Sequence, residues 1–323
     1  MHTQLTQNEL LAEISRRWGL DLACWREDVS LTGSPERTVW RNVVQARDRR
    51  LFVVEKIASR TYGRKRRIAG TLKQLAELGL GQIVTVLPDT TGETIPLIDH
   101  GLWQLSPFVR GVPLDRPAYA MDGWRGAAAA DFLIRFYAIS VHCHGPPPWP
   151  PFALPDYIRN LLATLSRHEA ETVKRFDAFR NYLEKSLFPA LPHLPGRLCH
   201  GDYHPLNMIW GAGSIRAVID WEFCGVKPEL YDLANLLGCL GMEDPQSLMG
   251  PFVGQLVGRL KKSEIFADLS WRMLPDLMLA IRFAWLSEWM RKNDRPMIQM
   301  EADYMALLLE RKPALQALFL DDP

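Results

Sequence analysis

The chain has 323 residues, with 38 Lys and Arg against 37 Asp and Glu, a formal net charge of +1. That balance argues against a protein whose main task is coating nucleic acid. A content of 47% hydrophobic and 23% charged residues excludes a largely disordered chain, and the length suggests two domains or one two-lobed unit. Five cysteines (Cys24, Cys143, Cys199, Cys224 and Cys239) are an odd number without paired spacing, as expected of reduced thiols in a cytoplasmic protein. The N-terminal segment MHTQLTQNELLAEISRRWGL lacks the charged start and long apolar run of a signal peptide. Apolar stretches such as GAAAADFLIRFYAI contain charges and are too short to cross a bilayer, so no membrane role is expected.

Residues 5–20 carry Leu5, Leu10, Leu11, Ile14 and Trp18 near helical spacing and predict a helix. Residues 28–57 predict strands, with Gly33-Ser34-Pro35 as one turn and Arg47-Asp48-Arg49-Arg50 as another before LFVVEKIA. A helix follows through Ile68, Leu72, Leu75 and Leu78, ending at Gly79. Its basic start, Arg64 to Arg67, reads as a solvated face. QIVTVL and TIPLIDHGLWQLSPFV predict two more strands around the turn Pro88 to Gly92. Helices are expected at 122–143, 156–166, 168–188, 229–241, 245–260, 271–292 and 298–318, with Pro146 to Pro151 as a rigid loop. A sheet-rich half followed by a helical half predicts α+β architecture, divided into residues 1–108 and 109–323.

The stretch that carries chemistry runs from Leu198 to Leu237. It holds His-x-Asp-x4-Asn (His200, Asp202, Asn207), then Ile219-Asp220-Trp221-Glu222, then Tyr231-Asp232-Leu233. MIW and IRAVID read as a hairpin across the turn Gly211 to Ser214. Asp202 and Asn207 thus share a loop entering the hairpin, and Asp220 ends the returning strand. Oxygen ligands of this kind suit Mg²⁺, which binds through one or two carboxylates together with substrate phosphates. A further carboxylate beside a substrate hydroxyl can orient it and accept its proton. Together these are the parts needed for phosphoryl transfer from a nucleotide. Chance supplies a His-x-Asp-x4-Asn match in about one such chain in a hundred.

HGDYHPLN, IDWE and YDLANLL resemble the catalytic loop, metal-binding segment and following helix of the aminoglycoside phosphotransferase and choline kinase group. AIRFAWLSEWMRKND is similar to a helix of its homoserine-kinase-like branch. The resemblance implies a two-lobed, protein-kinase-like fold and an ATP- and Mg²⁺-dependent kinase acting on a hydroxyl of a small molecule. It implies that Asp202 is the catalytic base and that Asn207 and Asp220 hold the metal. His200 and Asp232 would brace the loop, and Glu222 would stand behind the metal or substrate. LTGSPERTVWRNV, with Ser34, resembles the nucleotide loop, and SPFVRGVPL, with Ser106 and Phe108, the hinge that would meet adenine. Lys56 would grip the phosphates, although a register shifted by one places Glu55 at that position. The glutamate that usually pairs with such a lysine is expected at residue 70, which is glycine; Glu77 lies nearer the helix end. The acceptor would meet His204, Arg282, Trp285 and Glu288. Two other readings compete: a protein Ser/Thr kinase, against which no Ala-Pro-Glu segment is found, and a non-catalytic nucleotide-binding regulator, motivated by Gly70.

Overall fold

The computed structural model describes residues 5–29, 31, 39–143, 149, 152–167 and 170–320. The expected nucleotide loop with Ser34, and most of the proline-rich loop, lie outside them. The chain divides into two compact units. The first takes its described residues from 1–113, 142–148 and 208–222, the second from 114–141, 149–207 and 223–323.

The first unit begins with helix α1 (Gln7–Trp18), started by a capping box between Thr6 and Glu9 and stopped by Gly19 at φ 62°. A five-stranded antiparallel sheet follows, in the order β1-β2-β3-β5-β4. Its strands are β1 (Leu22–Trp25), β2 (Trp40–Ala46), β3 (Leu51–Ile57), β4 (Leu97–Ile98) and β5 (Gly101–Pro107). Because side chains alternate across a strand, each β3 residue belongs to one face only. One face carries Phe52, Val54, Trp103 and Leu105, which pack with Ile14 and Trp18 of α1 in one apolar cluster. Helix α2 (Tyr62–Glu77) buries Lys65, Ile68, Ala69, Thr71, Leu72 and Leu75.

The structure breaks the predicted strand at 94–109 in two. Asp99 and His100 both take positive φ, 43° and 58°, and turn β4 back onto β5. QIVTVL forms no strand of its own; Ile83 makes an isolated parallel bridge to Val218, and Leu87 N–H donates to Leu105 O at 2.8 Å. Its start lies against the hairpin of β7 (Met208–Trp210) and β8 (Ile215–Val218), with Val218 N–H donating to Gln82 O at 2.9 Å. The hairpin itself forms where the sequence places it.

In the second unit, α3 (Gly123–Ser140) packs closely on α7 (Pro251–Lys262). The helices α4 (Leu154–Leu165), α5 (Ala170–Lys185), α6 (Tyr231–Glu243), α8 (Asp268–Lys292), α9 (Arg295–Glu310) and α10 (Lys312–Leu320) complete the helical set. Strand β6 (Gly196–Cys199) pairs antiparallel with β9 (Gly225–Pro228) and delivers the chain to His200. Among the described residues no helix is long and apolar enough to cross a membrane.

Gly126 is where α3 meets α7, and a Cβ there would stand 1.9 Å from the Phe252 carbonyl oxygen. Overpacking of this kind costs about 1–3 kcal/mol. Gly126→Ala is therefore expected to lower the unfolding free energy by that amount, read as a lower urea midpoint at constant slope; an unchanged midpoint contradicts the close approach.

Candidate functional site

The residues picked out by the sequence divide between the units. Asp202, Asn207, His200, His204, Asp232, Arg282, Trp285 and Glu288 belong to the second; Lys56, Ser106, Phe108, Asp220 and Glu222 belong to the first.

In the second unit, the loop after β6 is held from below by Asp232 in the first turn of α6. Its carboxylate accepts the backbone N–H groups of His200 and Gly201, each at 2.8 Å, and the Tyr137 hydroxyl at 3.2 Å. Burial pushes the Asp232 carboxyl up, and the neighbouring His200 and the two N–H donors pull it back. Gly201 takes φ 83°, and a Cβ there would lie 2.1 Å from Phe223 O, so the tight turn requires glycine on two counts. Tyr203 is fully buried, stacked on Phe132, and donates its hydroxyl to Ala129 O on α3.

Asp202 is thereby presented from a rigid base. Its N–H donates to His200 Nδ1 at 3.2 Å, which makes His200 a loop brace. The Asn207 amide nitrogen donates to the Asp202 carbonyl at 2.9 Å and to its carboxylate at 3.2 Å. The Asn207 nitrogen is thus committed to Asp202, and its amide oxygen is by chemistry a hard donor. His204 Nε2 lies 3.7 Å from the Asp202 carboxylate, and its ring meets Trp285 edge-on at 5.7 Å. The Trp285 indole donates to Asn235 Oδ1, and Asn235 donates to the Tyr203 carbonyl, both at 3.3 Å. Tyr231 is buried against this loop; burial and the nearby Asp202 raise its phenol well above the ordinary value.

In the first unit, Asp220 lies two residues beyond β8 with φ 60°, a conformation that L-residues other than Asn and Asp rarely adopt. Such backbone concentrates at sites where a side chain has to be aimed. Trp221 fixes the turn by donating its indole N–H to Val218 O at 3.0 Å. Two residues on, Glu222 forms an ion pair with Lys65 of α2, and both side chains are nearly buried. The sequence reading of Arg64 to Arg67 as a solvated face is corrected here. Arg64 and Arg66 are exposed, but Lys65 is buried.

The alternation of β3 settles where its two polar residues lie. Lys56 pairs with Trp40 and Trp103, and its ammonium lies 5.5 Å from the Trp103 ring centre, on the face packed by α1. Glu55 lies on the opposite face, opposite Arg41 and Gln104 in the ladder, and accepts a hydrogen bond from Gln104. Ser106 pairs with Val53 and shares that opposite face with Glu55; Phe108 N–H donates to Leu51 O at 2.9 Å.

Two expected acceptor contacts are otherwise engaged. Arg282 is 2% exposed and forms a two-pronged ion pair with Glu301 at 2.5 and 2.7 Å, inside the helical core. Trp289 donates to the same carboxylate at 3.1 Å. Glu288 pairs with Arg291 at 2.7 Å and Lys292 at 2.9 Å. The sequence missed Asn235, because nothing in its local pattern distinguishes it from other helix residues.

Among the described residues no three His, Cys, Asp or Glu side chains cluster as a metal site. Mg²⁺ takes few protein ligands, because substrate phosphates and water complete its octahedron. An amide oxygen such as that of Asn207 and a carboxylate such as that of Asp220 are each donors of the right hardness for Mg²⁺.

Residues 33–272 match the APH phosphotransferase enzyme family. No curated protein sequence matches the chain. Among solved structures, an aminoglycoside phosphotransferase from Alicyclobacillus acidocaldarius is similar over 99% of this chain and 96% of its own, with 14% identity and a TM-score of 0.64. An amicoumacin kinase in complex with AMP-PNP, Ca²⁺ and Ami is 14% identical over 97% and 93%, with a TM-score of 0.66. A microcompartment-associated aminopropanol kinase is 16% identical over 96% and 98%, with a TM-score of 0.64. At these identities the likeness is one of fold.

The hydrogen bond from Arg291, aided by Lys292, holds the Glu288 carboxyl down at about 2, against an ordinary value of 4.5. A depressed carboxyl gives stability that is present above pH 4.5 and lost as pH falls toward 2. The stability gap between the native chain and Glu288→Gln is expected to narrow between pH 6 and pH 3 in urea melts. A gap independent of pH would mean the pair is screened out by solvent.

Proposed function

The chain belongs to the APH family of phosphotransferase enzymes, ATP-dependent kinases acting on hydroxyl groups, and we propose that it transfers the γ-phosphoryl group of ATP to a hydroxyl of a small molecule with Mg²⁺ bound. The observation that carries this reading is the Asp202 loop. A carboxylate is mounted on a backbone pinned by Asp232, with an oriented amide, Asn207, five residues on.

In this reading Asp202 accepts a hydrogen bond from the acceptor hydroxyl and takes its proton as the oxygen bonds to phosphorus and ADP leaves. His200 and Asp232 fix the direction from which it does so. Asn207 and Asp220 would hold Mg²⁺, which when bound offsets charge on the phosphate oxygens. Residues 1–108 would form the nucleotide-binding lobe, with adenine near Ser106 and Phe108, and residues 109–323 the acceptor lobe. His204 and Trp285 are the acceptor contacts best supported, since one touches Asp202 and the other touches His204. Arg282 is assigned to the core. The similar proteins act, by their names, on aminoglycosides, amicoumacin and aminopropanol, so amino-bearing hydroxyl compounds are the first acceptors to try. Retention of Asp202, Asn207 and Asp220 together weighs against a non-catalytic regulator.

Mg²⁺-dependent ADP release from ATP is expected with at least one member of a panel of amino alcohols, amino acids, sugars and aminoglycosides. Asp202→Asn is expected to reduce that rate by about 10²–10⁴-fold, the usual yield of a positioned base. Full activity in the variant would remove Asp202 from the role, and ATP binding without turnover on any acceptor would favour a protein substrate or regulation.

A further inference from the structure

We propose that Lys65, on helix α2, supplies the positive charge that meets the nucleotide phosphates in this chain, in place of a lysine on β3; this rests on the kinase reading above. Three observations lead there. The β3 lysine, Lys56, lies over Trp103 on the face packed by α1. The neighbouring position on the opposite face is a carboxylate, Glu55, which meets Gln104 and, at 3.9 Å, Arg41, so β3 presents no lysine on that face. Lys65, by contrast, is buried and ion-paired to Glu222, two residues beyond Asp220 on the same turn.

A buried ion pair is weak evidence for stability, because removing two charges from water costs about as much as their attraction returns. The position of this pair is therefore better accounted for by what the ammonium can do there. An ammonium carries three donors, and one bond to Glu222 leaves others for a phosphate oxygen. Glu222 holds the Lys65 chain extended toward the Asp220 turn before nucleotide arrives. The pair also keeps the site near neutral, so a nucleotide's negative charge meets a cation already desolvated and aimed. The carboxylate of this pair comes from the turn after β8 and the lysine from helix α2.

The test is equilibrium binding of ATP, ADP and adenosine by calorimetry, with Mg²⁺, on the full chain. A charge-assisted bond to phosphate contributes about 1.5–3 kcal/mol, or about 10–150-fold in affinity. Lys65→Met is expected to weaken ATP and ADP within that range and to leave adenosine unchanged. Lys65→Arg should recover part of the loss, and Arg64→Met, an exposed neighbour, should match the native chain. If Lys65→Met does not fold, the double variant K65Q/E222Q removes both charges while retaining hydrogen bonding, and the same loss for ATP but not adenosine is expected. A purely structural Lys65 would lower the melting temperature and shift all three ligands together, which overturns the proposal. So would loss of ATP affinity in Lys56→Met with none in Lys65→Met. If the native chain binds neither ATP nor ADP, the kinase reading itself fails, an outcome separable from all the others.

Discussion

A carboxylate with no exposure to solvent, Asp232, accepts the N–H groups of His200 and Gly201 and the hydroxyl of Tyr137. Its burial is costly, and charge-assisted bonds to backbone donors are the form of compensation that also fixes geometry. Backbone donors cannot change rotamer. The loop from His200 to Asn207 consequently has one arrangement relative to α6, and every group mounted on it inherits that arrangement. Gly201 is the second half of the same constraint, because no side chain fits between the loop and Phe223 O.

Once the loop is fixed, its polar atoms sort themselves by exclusion. The Asn207 nitrogen is occupied by Asp202, so its oxygen is the atom available to a cation. The Asp202 N–H is occupied by His200, which makes that histidine a structural acceptor. His204 is the member that bridges to the helical layer, through Trp285, Asn235 and back to the Tyr203 carbonyl. A ring contact and two hydrogen bonds thus tie the loop to α6 and α8.

Local pattern made parts of this legible in advance. The helices of the second unit, the β7–β8 hairpin and the loop motif are short-range features, set by periodicity, turn residues and fixed spacing. What the pattern concealed depends on distant partners. QIVTVL has the composition of a strand but spends its start on Gln82 and the hairpin. The predicted strand through Asp99 and His100 breaks because two consecutive residues adopt positive φ, which no alternation of hydrophobicity reveals. Arg282 and Glu301 are 19 residues apart and look like surface charges until α8 and α9 pack. Lys65 sits within a run of basic residues that would all be solvated on an isolated helix.

The period of two in a strand makes the chemistry of β3 sensitive to a single step of register. Val54 and Lys56 share a face with Trp103, while Val53 and Glu55 share the other with Gln104 and Ser106. No rotamer carries a lysine through the sheet, so the charge on each face is decided by the ladder and not by the length of the side chain. A helix lacks this restriction, since its residues three and four apart all face the same neighbour. One turn into α2, Lys65 reaches Glu222 from a position that a strand residue of either parity does not share.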